Sequence, residues 1–505
     1  MSHVLWPRAR GASWLLELGA LVFCALLVWA TAIGSNLNHN EQMYVAAARL
    51  WWEFDLYSDY AYLQAPLLPI VNAGLFAMTG NEHLLLLARL HVAFWSILAV
   101  MAVYEIGRRL SGNRLVAVAA AGVFGSHRLF LSNVAESSNY IMPLGLTTLS
   151  LLACVLATDE SFSPRARAAW SAISGLTIGL AVSCKSFYAL VALGVFATTV
   201  AVSDRRLVLH WIGGGLIGAL PLVYYALRDP SAFYFGNLDY HVANTEYRRV
   251  TDSHMPMKLS QRLRFFRRLW RNPLITAVTL YSVVALIALW WLDVPRTKRR
   301  LFIGACVITF LSCIAALLPS PAYLQYFAMP FACLIITAIV AASLYSTKWR
   351  VAFVAVCVLG IAFAPATRRM NKLLRKSSAP ARVEREARNL DRRLDCSEAM
   401  YVATLSPILP LEAGCSIYPE LATGPFAFRV ADHRTPAMQE DLNVVGPSRL
   451  QAFLNEKKPH AILVGFEPRH DGVFETYAKQ QGYVEVNQRF MSRGRLWIAP
   501  ETSLP

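Results

Sequence analysis

The chain has 505 residues, of which 56% are hydrophobic and 16% are charged, against roughly 45–50% and about 25% in ordinary soluble domains. This composition excludes a soluble single-domain enzyme, and nine cysteines in 505 residues exclude a disulfide-rich scaffold. The formal net charge of +16 is not accompanied by any nucleic-acid-binding motif, so we expect no nucleic-acid partner.

The apolar residues fall in repeated blocks of about the ~20 residues that one helix needs to cross a bilayer. We therefore interpret the chain as a mostly α, polytopic membrane protein. The first block could instead belong to a cleaved signal peptide, because Arg8 and Arg10 precede it. The sequence predicts eleven membrane helices, at 13–33, 84–106, 115–131, 140–157, 168–184, 187–202, 207–227, 274–292, 301–318, 326–344 and 351–366.

Lysine and arginine residues predict the orientation of these helices. With a cytoplasmic N-terminus, the short inside segments contain 15 Lys and Arg in 48 residues, and the outside segments contain 2 in 67. Basic residues resist translocation, so eleven crossings place the C-terminus in the extracytoplasmic compartment. Two longer outer segments, 228–273 and 368–393, depart from this pattern with nine and ten basic residues.

The chain is predicted to have three parts. Residues 1–366 form a transmembrane domain with large outer loops at 34–83 and 228–273. Residues 367–394 form a basic linker, either an amphipathic surface helix or a solvated tether. Residues 395–505 form a small extracytoplasmic α/β domain without a phosphate-binding glycine pattern. The tail has strand-like runs at 400–405, 461–466, 483–486 and 495–499, with a helical stretch at 473–481.

Seven of the nine cysteines lie in or at the ends of the predicted spans, where cysteine behaves as a small apolar residue. Only Cys396 and Cys415 lie in the tail, where they could form one disulfide or remain two buried thiols. No zinc-type spacing is present. The sequence therefore indicates no cofactor, although it does not exclude a divalent cation.

The loop 34–83 contains two apolar stretches, 44–52 and 65–78, that are too short to span a membrane. We expect both to be helices that lie on or dip into the outer interface, where an enzyme with a lipid substrate must work. Glu41 precedes the first stretch, and a carboxylate there could remove a proton from an acceptor hydroxyl. A structural alternative is a helix N-terminal charge favoured by the macrodipole.

Three further residues lie at the predicted outer face. Lys185 lies between two apolar runs, where a cation must be solvated or paired with an anion, and snorkelling is the structural alternative. Glu136 lies in the adjacent outer turn, where an ion pair with Arg128 is the alternative. Tyr326 lies at the mouth of a span, a common position for interfacial aromatic residues.

The outer loop 228–273 supplies His241 and several arginines, among them Arg248 and Arg249. Basic residues normally stay on the cytoplasmic side, so arginines on the outer side suggest a bound phosphate. The guanidinium fork is well shaped for a phosphate. The run 262–271 is also an amphipathic cationic helix, which could lie on anionic lipid headgroups instead.

The order of these stretches resembles the GT-C class of integral-membrane glycosyltransferases, in particular bacterial relatives of protein O-mannosyltransferase and the lipid A aminoarabinose transferase. Such enzymes carry an Asp-Glu pair followed by Tyr, a Lys-Pro-Pro-Leu-like element, a Lys after a Gly-rich helix, and a Tyr-Phe-x-x-Pro-like element. Asn40 and Gln64 depart from this pattern, standing where the family has Asp and often Lys. The corresponding stretches are Asn40-Glu41-Gln42-Met43-Tyr44, Gln64-Ala65-Pro66-Leu67, 175–185 and Gln325-Tyr326-Phe327-Ala328-Met329-Pro330.

The resemblance implies an inverting glycosyltransferase in the bacterial inner membrane, working at the outer face. Its donor would be a polyprenyl-phosphate monosaccharide, and its acceptor a lipid, a polysaccharide or a protein. A transporter or flippase of a lipid-linked sugar and a non-catalytic GT-C-fold protein are the alternatives. The resemblance implies Glu41 as the catalytic base, and as donor- or acceptor-binding residues Asn40, Tyr44, Gln64, Glu136, Lys185, His241, Arg248, Arg249 and Tyr326.

Overall fold

The computed structural model describes residues 10–252, 254–362 and 378–500. The chain is mainly helical up to residue 362, and a small sheet lies near the C-terminus. The α-helices before residue 363 are α1 Arg10–Gly34, α2 His39–Leu50, α3 Leu67–Ala77, α4 Leu84–Ser111, α5 Arg114–Ser126, α6 Arg128–Val134, α7 Ile141–Ala157, α8 Pro164–Cys184, α9 Ala189–Val202, α10 Arg205–Arg228, α11 Pro230–Tyr234, α12 Tyr240–Thr251, α13 Leu259–Trp270, α14 Pro273–Ala288, α15 Arg296–Leu317, α16 Ala328–Leu344 and α17 Thr347–Ala362.

Helices occupy all eleven positions at which the sequence predicts a membrane span. Of the helices in the described residues, five are long and apolar enough to cross a membrane, or seven if each of two bent pairs is one span. The chain is therefore a multi-pass integral membrane protein. The count of eleven crossings and their orientation stay predictions, and residues 363–366 of the last predicted span lie outside the described residues.

A side chain caps the helix that follows each break: His127 caps α6 and Asn272 caps α14. Helices α5 and α6 meet at 57°, and His127 ends one helix and caps the next by accepting a hydrogen bond from the Leu129 N–H. Helices α13 and α14 meet at 91°. The basic helix α13 is held by Arg262, which donates to the carbonyls of Leu317 at 2.5 Å and Leu318 at 2.6 Å. Arg262 thus satisfies the C-terminal carbonyls of α15 rather than facing a phosphate.

The two short apolar stretches of the loop 34–83 form helices α2 and α3, at the positions predicted. Asn38 and Glu41 make a capping box that starts α2. Nine of the twelve residues of α2 are buried within the protein. Helix α2 is therefore largely enclosed by other parts of the protein, and its position at the outer interface stays a prediction.

Glycines allow α8 and α10 to pack against each other at very short range. A Cβ added at Gly175 would lie 1.9 Å from the carbonyl oxygen of Trp211, and one at Gly214 would lie 2.0 Å from that of Ala172. Small residues at helix interfaces allow such backbone contact in membrane proteins. This contact holds α8 in place, and Lys185 is the residue that caps its C-terminal end.

The tail carries a five-stranded sheet in the order β2-β1-β3-β5-β4. Strands β1, β2 and β3 are parallel, whereas β5 pairs antiparallel with β3 and β4. A disulfide joins Cys396 to Cys415 just before β1 and β2. The elements of this part are α18 Ala379–Leu394, β1 Tyr401–Ala403, α19 Ile408–Glu412, β2 Ser416–Ile417, α20 Pro425–Ala431, α21 Pro436–Asp441, α22 Leu450–Glu456, β3 Ala461–Val464, α23 Asp471–Gln480, β4 Val484–Phe490 and β5 Gly494–Ile498.

Helix α18 falls within the predicted basic linker, and its apolar stripe is buried. It packs against α19 and also contacts α4 and α1. Residues 379–394 thus form an amphipathic helix on the protein rather than a solvated tether, while residues 367–377 lie outside the described residues. The domain boundaries stay predictions.

We predict that Gly175→Ala lowers the thermal stability of the purified protein. The added methyl group must displace the backbone of α10, and overpacking of this kind costs about 1–3 kcal/mol or more. Gly213→Ala is the matched control, because a Cβ at Gly213 has no neighbour within 4 Å and alanine favours the helix by roughly 1 kcal/mol. Thermal unfolding in detergent measures both variants, and an equal midpoint for the two would contradict the predicted contact.

Candidate active site

The centre of the candidate site is a buried ion pair. Glu41 and Arg89 have no exposed surface, and the guanidinium donates to both carboxylate oxygens, at 2.6 Å and 2.7 Å. The backbone N–H groups of Asn38 and Ser137 donate to the same carboxylate, each at 2.8 Å. Glu41 therefore accepts four hydrogen bonds from three different segments of the chain.

Arg89 also holds the chain that leaves α1. Its guanidinium donates to the carbonyl oxygens of Ala32 at 2.5 Å and Asn36 at 3.0 Å. A buried charge is tolerated only when it is paired and hydrogen-bonded, and both partners here meet that condition. Both oxygens of Glu41 are thus already engaged in hydrogen bonds, and its role as the catalytic base stays a prediction.

Glu136 is the second carboxylate of this region and is placed differently. It lies in the turn between α6 and α7, and only 2% of its surface is exposed. One of its oxygens accepts a hydrogen bond from the Asn40 amide at 3.3 Å, while Oε1 has no partner among the described residues. Burial, followed by the charge of Glu41, raises the pKa of Glu136 to about 7. A buried carboxyl group with one free oxygen and this pKa is suited to proton transfer at neutral pH.

Lys185 belongs to a group of four polar side chains, the Lys185 cluster, which comprises Tyr44, Gln64, Asn139 and Lys185. The ammonium group lies 2.8 Å from Oδ1 of Asn139 and 3.5 Å from Oε1 of Gln64. Tyr44 donates to Asn139 at 2.8 Å, and Asn139 donates to Gln64 at 2.9 Å. The two amide oxygens that accept hydrogen bonds from the ammonium group are both neutral.

No carboxylate in the described part of the chain forms an ion pair with Lys185, although only 5% of the residue is exposed and the charge of Glu136 acts on it. Its ammonium nitrogen lies 3.9 Å from the ring centre of Tyr140 and 5.9 Å from that of Tyr326. Burial lowers the pKa of Lys185 to about 7. A bound anion would supply the counter-charge that these neutral oxygens and aromatic faces do not provide.

The residues predicted from the basic outer loop are less closely associated with this cluster. Burial lowers the pKa of His241 on α12 to about 4, and the charge of Lys185 contributes to the shift. Arg248 forms an ion pair with Asp252, which also pairs with Arg469 at 3.0 Å. Arg249 is exposed. Arg248 is thus neutralised within the protein, and neither arginine contacts the Lys185 cluster.

Sequence reasoning missed three residues of the site. Arg89 interrupts the apolar run of α4, and an arginine at such a position was itself a signal of a buried partner. Asn139 ends a run of four polar residues between two apolar stretches. Arg429 comes from the tail and donates to Asn244 at 2.7 Å and Tyr240 at 3.2 Å on α12; its approach to α12 depends on tertiary folding alone.

A cavity of about 710 Å³ lies between the start of α2, α18 and the tail. His39, the neighbour of Asn40, lines this cavity together with Arg385 and Arg493. Burial and then the charges of Arg429 and Arg248 lower the pKa of His39 to about 4. The cavity thus brings basic side chains from the tail to the chain segment that carries Asn40.

The fold of the chain is that of known membrane glycosyltransferases. ArnT from Cupriavidus metallidurans bound to undecaprenyl phosphate matches with a TM-score of 0.66 and 14% identity, over 97% of this chain and 99% of that one. The apo state of the same enzyme matches with a TM-score of 0.62 and 13% identity, over 96% and 98%. The apo oligosaccharyltransferase of Archaeoglobus fulgidus matches with a TM-score of 0.53 and 13% identity, over 94% and 71%.

These neighbours define the class of fold. ArnT, a lipid A aminoarabinose transferase, and the archaeal oligosaccharyltransferase are both GT-C glycosyltransferases. This chain therefore has the GT-C fold, and the predicted likeness to that class is confirmed. No known family model matches the sequence, and no curated protein matches it.

We predict that breaking the buried ion pair destabilises the protein. Arg89→Ala leaves the Glu41 carboxylate buried without its partner, a change that costs about 3–5 kcal/mol. Thermal unfolding in detergent should give a much lower midpoint for this variant. The matched control is Arg108→Ala on the same helix, because Arg108 pairs with Glu105 at an exposed position, where such pairs contribute about 1 kcal/mol or less. Equal losses for the two variants would contradict the central role of the pair.

Proposed function

We propose that the protein is an inverting glycosyltransferase that moves a monosaccharide from a polyprenyl-phosphate carrier to a lipid, polysaccharide or protein acceptor. The single observation that carries the proposal is the buried Lys185, which lacks a counter-ion in the described residues. The GT-C fold supports it, since a solved neighbour is ArnT bound to undecaprenyl phosphate. We assign the reaction to the outer face of the bacterial inner membrane, with the N-terminus cytoplasmic.

Lys185 is the proposed ligand of the donor phosphate. The oxygens of Asn139 and Gln64 fix the ammonium group, and burial removes the water that would screen its charge. The rings of Tyr140 and Tyr326 flank the same position. The leaving group of this reaction is a phosphate anion, which needs charge stabilisation and no proton, so a second carboxylic acid is not required.

Glu136 is the proposed base that accepts the proton of the acceptor hydroxyl. Asn40 holds one of its oxygens, which leaves the other oxygen available. Deprotonation by a single carboxylate and attack on the face opposite the phosphate invert the anomeric centre. The assignment replaces the sequence-based hypothesis of Glu41, whose role in this scheme is to hold the turn that carries Glu136 through the N–H of Ser137.

The two departures from the family pattern fit this division of roles. An aspartate at position 40 would repel Glu136, whereas Asn40 donates a hydrogen bond to it. A lysine at position 64 would repel Lys185, whereas Gln64 offers it an oxygen. Beside the Glu41–Arg89 pair, this chain therefore keeps one carboxylate, Glu136, and one cation, Lys185, at the proposed substrate positions. We propose that the acceptor approaches through the cavity lined by His39, because that residue adjoins Asn40.

The two alternatives are weaker. A transporter or flippase is not favoured, because ArnT and the archaeal oligosaccharyltransferase, which share this fold, are glycosyltransferases. A non-catalytic protein would need neither a partner-free Oε1 on a buried Glu136 nor an unneutralised Lys185.

Kinetics of two variants test the proposal. We expect Glu136→Gln to lower kcat by at least the ~10²-fold that a general base contributes, with little change in the KM of the donor. Lys185→Ala should mainly raise the donor KM, because its charge faces a phosphate in both the ground state and the transition state. The assay follows transfer from a polyprenyl-phosphate sugar to membrane glycolipids by mass spectrometry.

Glu41→Gln is the discriminating comparison in the same assay. If Glu41→Gln is folded but shows no turnover while Glu136→Gln stays active, the base is Glu41 and not Glu136. Glu105→Gln serves as the control, because Glu105 lies near the opposite end of α4 from Arg89 and its ion pairs among the described residues are with arginines of that helix. Full activity of both Glu136→Gln and Lys185→Ala would overturn the proposed function.

The pH dependence follows from the two shifted pKa values. The base form of Glu136 is lost as the pH falls through about 7, and the cation of Lys185 is lost as the pH rises through about 7. The value of kcat/KM should therefore describe a bell with its maximum near pH 7. In Lys185→Arg the guanidinium stays charged, so the alkaline limb should disappear while the acid limb remains. A flat profile between pH 6 and 8 would contradict both assignments.

A further inference from the structure

A second group of ionisable side chains lies away from the Lys185 cluster, where the tail meets the helical part of the chain. It consists of His83, which precedes α4, Glu384 on α18 and Glu412 at the end of α19. One ligand atom from each residue lies within 4.8 Å of the ligand atoms of the other two. Tertiary folding thus brings together three potential metal ligands from segments that are up to 329 residues apart in sequence.

The geometry of the group suits a small cation. Nδ1 of His83 lies 2.8 Å from Oε1 of Glu384. Ligands of tetrahedral zinc lie about 2.0–2.2 Å from the metal and so roughly 3.4 Å from one another. Zinc binding requires small side-chain rotations to reach that spacing, and His83 is exposed while the two glutamates are partly buried. The exposed side leaves a coordination position for water.

The charges around the group also favour a cation. The three residues line a cavity of about 530 Å³ that contains four carboxylates, from Glu82, Glu384, Glu398 and Glu412, against the guanidinium groups of Arg49 and Arg388. Arg49 is engaged by Glu53, and Arg388 is exposed and forms no ion pair with these carboxylates among the described residues. The cavity therefore has an excess of negative charge.

A hydrogen bond between His83 and Glu384 explains two members of the group but not the third. Glu412 is held beside them by the Leu85 N–H, which donates to one of its oxygens at 3.3 Å. Glu384 repels a second carboxylate, and the position of Glu412 beside it is accounted for if a positive ion lies between the two.

We propose that His83, Glu384 and Glu412 form a binding site for a divalent transition-metal ion, which links the tail to the helical part of the protein. One imidazole nitrogen and two carboxylate oxygens are ligands that zinc accepts, whereas Mg²⁺ and Ca²⁺ prefer oxygen ligands alone. The ion is structural in this proposal, because the group shares no residue with the Lys185 cluster or with Glu136. The inference therefore does not depend on the proposed transferase activity.

Metal titration of the full chain tests the site. The protein is purified in detergent, stripped with EDTA and titrated with ZnCl₂ or MgCl₂ by calorimetry. We expect one zinc ion per chain, no comparable binding of magnesium, and a higher thermal unfolding midpoint with zinc. His83→Ala and Glu412→Gln should each weaken zinc binding by at least ~10²-fold, since loss of even an outer-shell partner costs 10–100-fold.

Glu82→Gln is the matched control, because Glu82 lines the same cavity but does not belong to the three-residue group. It should bind zinc as the unmodified protein does. Unfolding of each variant in EDTA verifies that it is folded, and Glu412→Gln should lose no stability there, because the substitution relieves carboxylate repulsion. Absence of zinc binding by the unmodified protein, or unchanged affinity in both ligand variants, would overturn the proposal.

Discussion

The buried ion pair between Glu41 and Arg89 is the interaction on which the candidate site depends. Two charges removed from water destabilise a protein unless every lone pair and proton is matched, and the matching groups here come from the end of α1, the start of α2 and the turn before α7. Those segments are thereby fixed relative to one another. Because the turn carries both Glu136 and Asn139, the positions of the proposed base and of the Lys185 cluster follow from this pair.

The two buried cations of the site have opposite environments, and the contrast defines their roles. Arg89 is paired with a carboxylate and donates to backbone carbonyls, so its charge stabilises the fold. Among the described residues, Lys185 contacts the neutral oxygens of Asn139 and Gln64 and the faces of aromatic rings. A fold tolerates such a lysine because its pKa can fall on burial, whereas a guanidinium stays charged. A bound anion would favour the charged form of Lys185, so the proposed binding of phosphate would be coupled to protonation.

Much of the layout could be predicted, because it depends on local properties of the sequence. Apolar blocks predicted helices at the positions where the structure has them, and the strand-like runs of the tail all lie in the sheet, although β2, only two residues long, was missed. For the site, the resemblance grouped Tyr44, Gln64, Lys185 and Tyr326, which do lie together. It also included Arg248 and Arg249, which do not join them, since composition cannot show that Asp252 neutralises Arg248.

The sequence by itself determined the class of the protein: hydropathy, charge asymmetry and the order of short motifs depend only on which residues follow one another. Only the tertiary structure decided which carboxylate is free, because Glu41 and Glu136 are equivalent until the partners of each are known. Arg89 lies 48 residues from Glu41, and His83 lies 301 residues from Glu384. Pairings over such distances are set by helix packing, and they decide which charges remain available for chemistry.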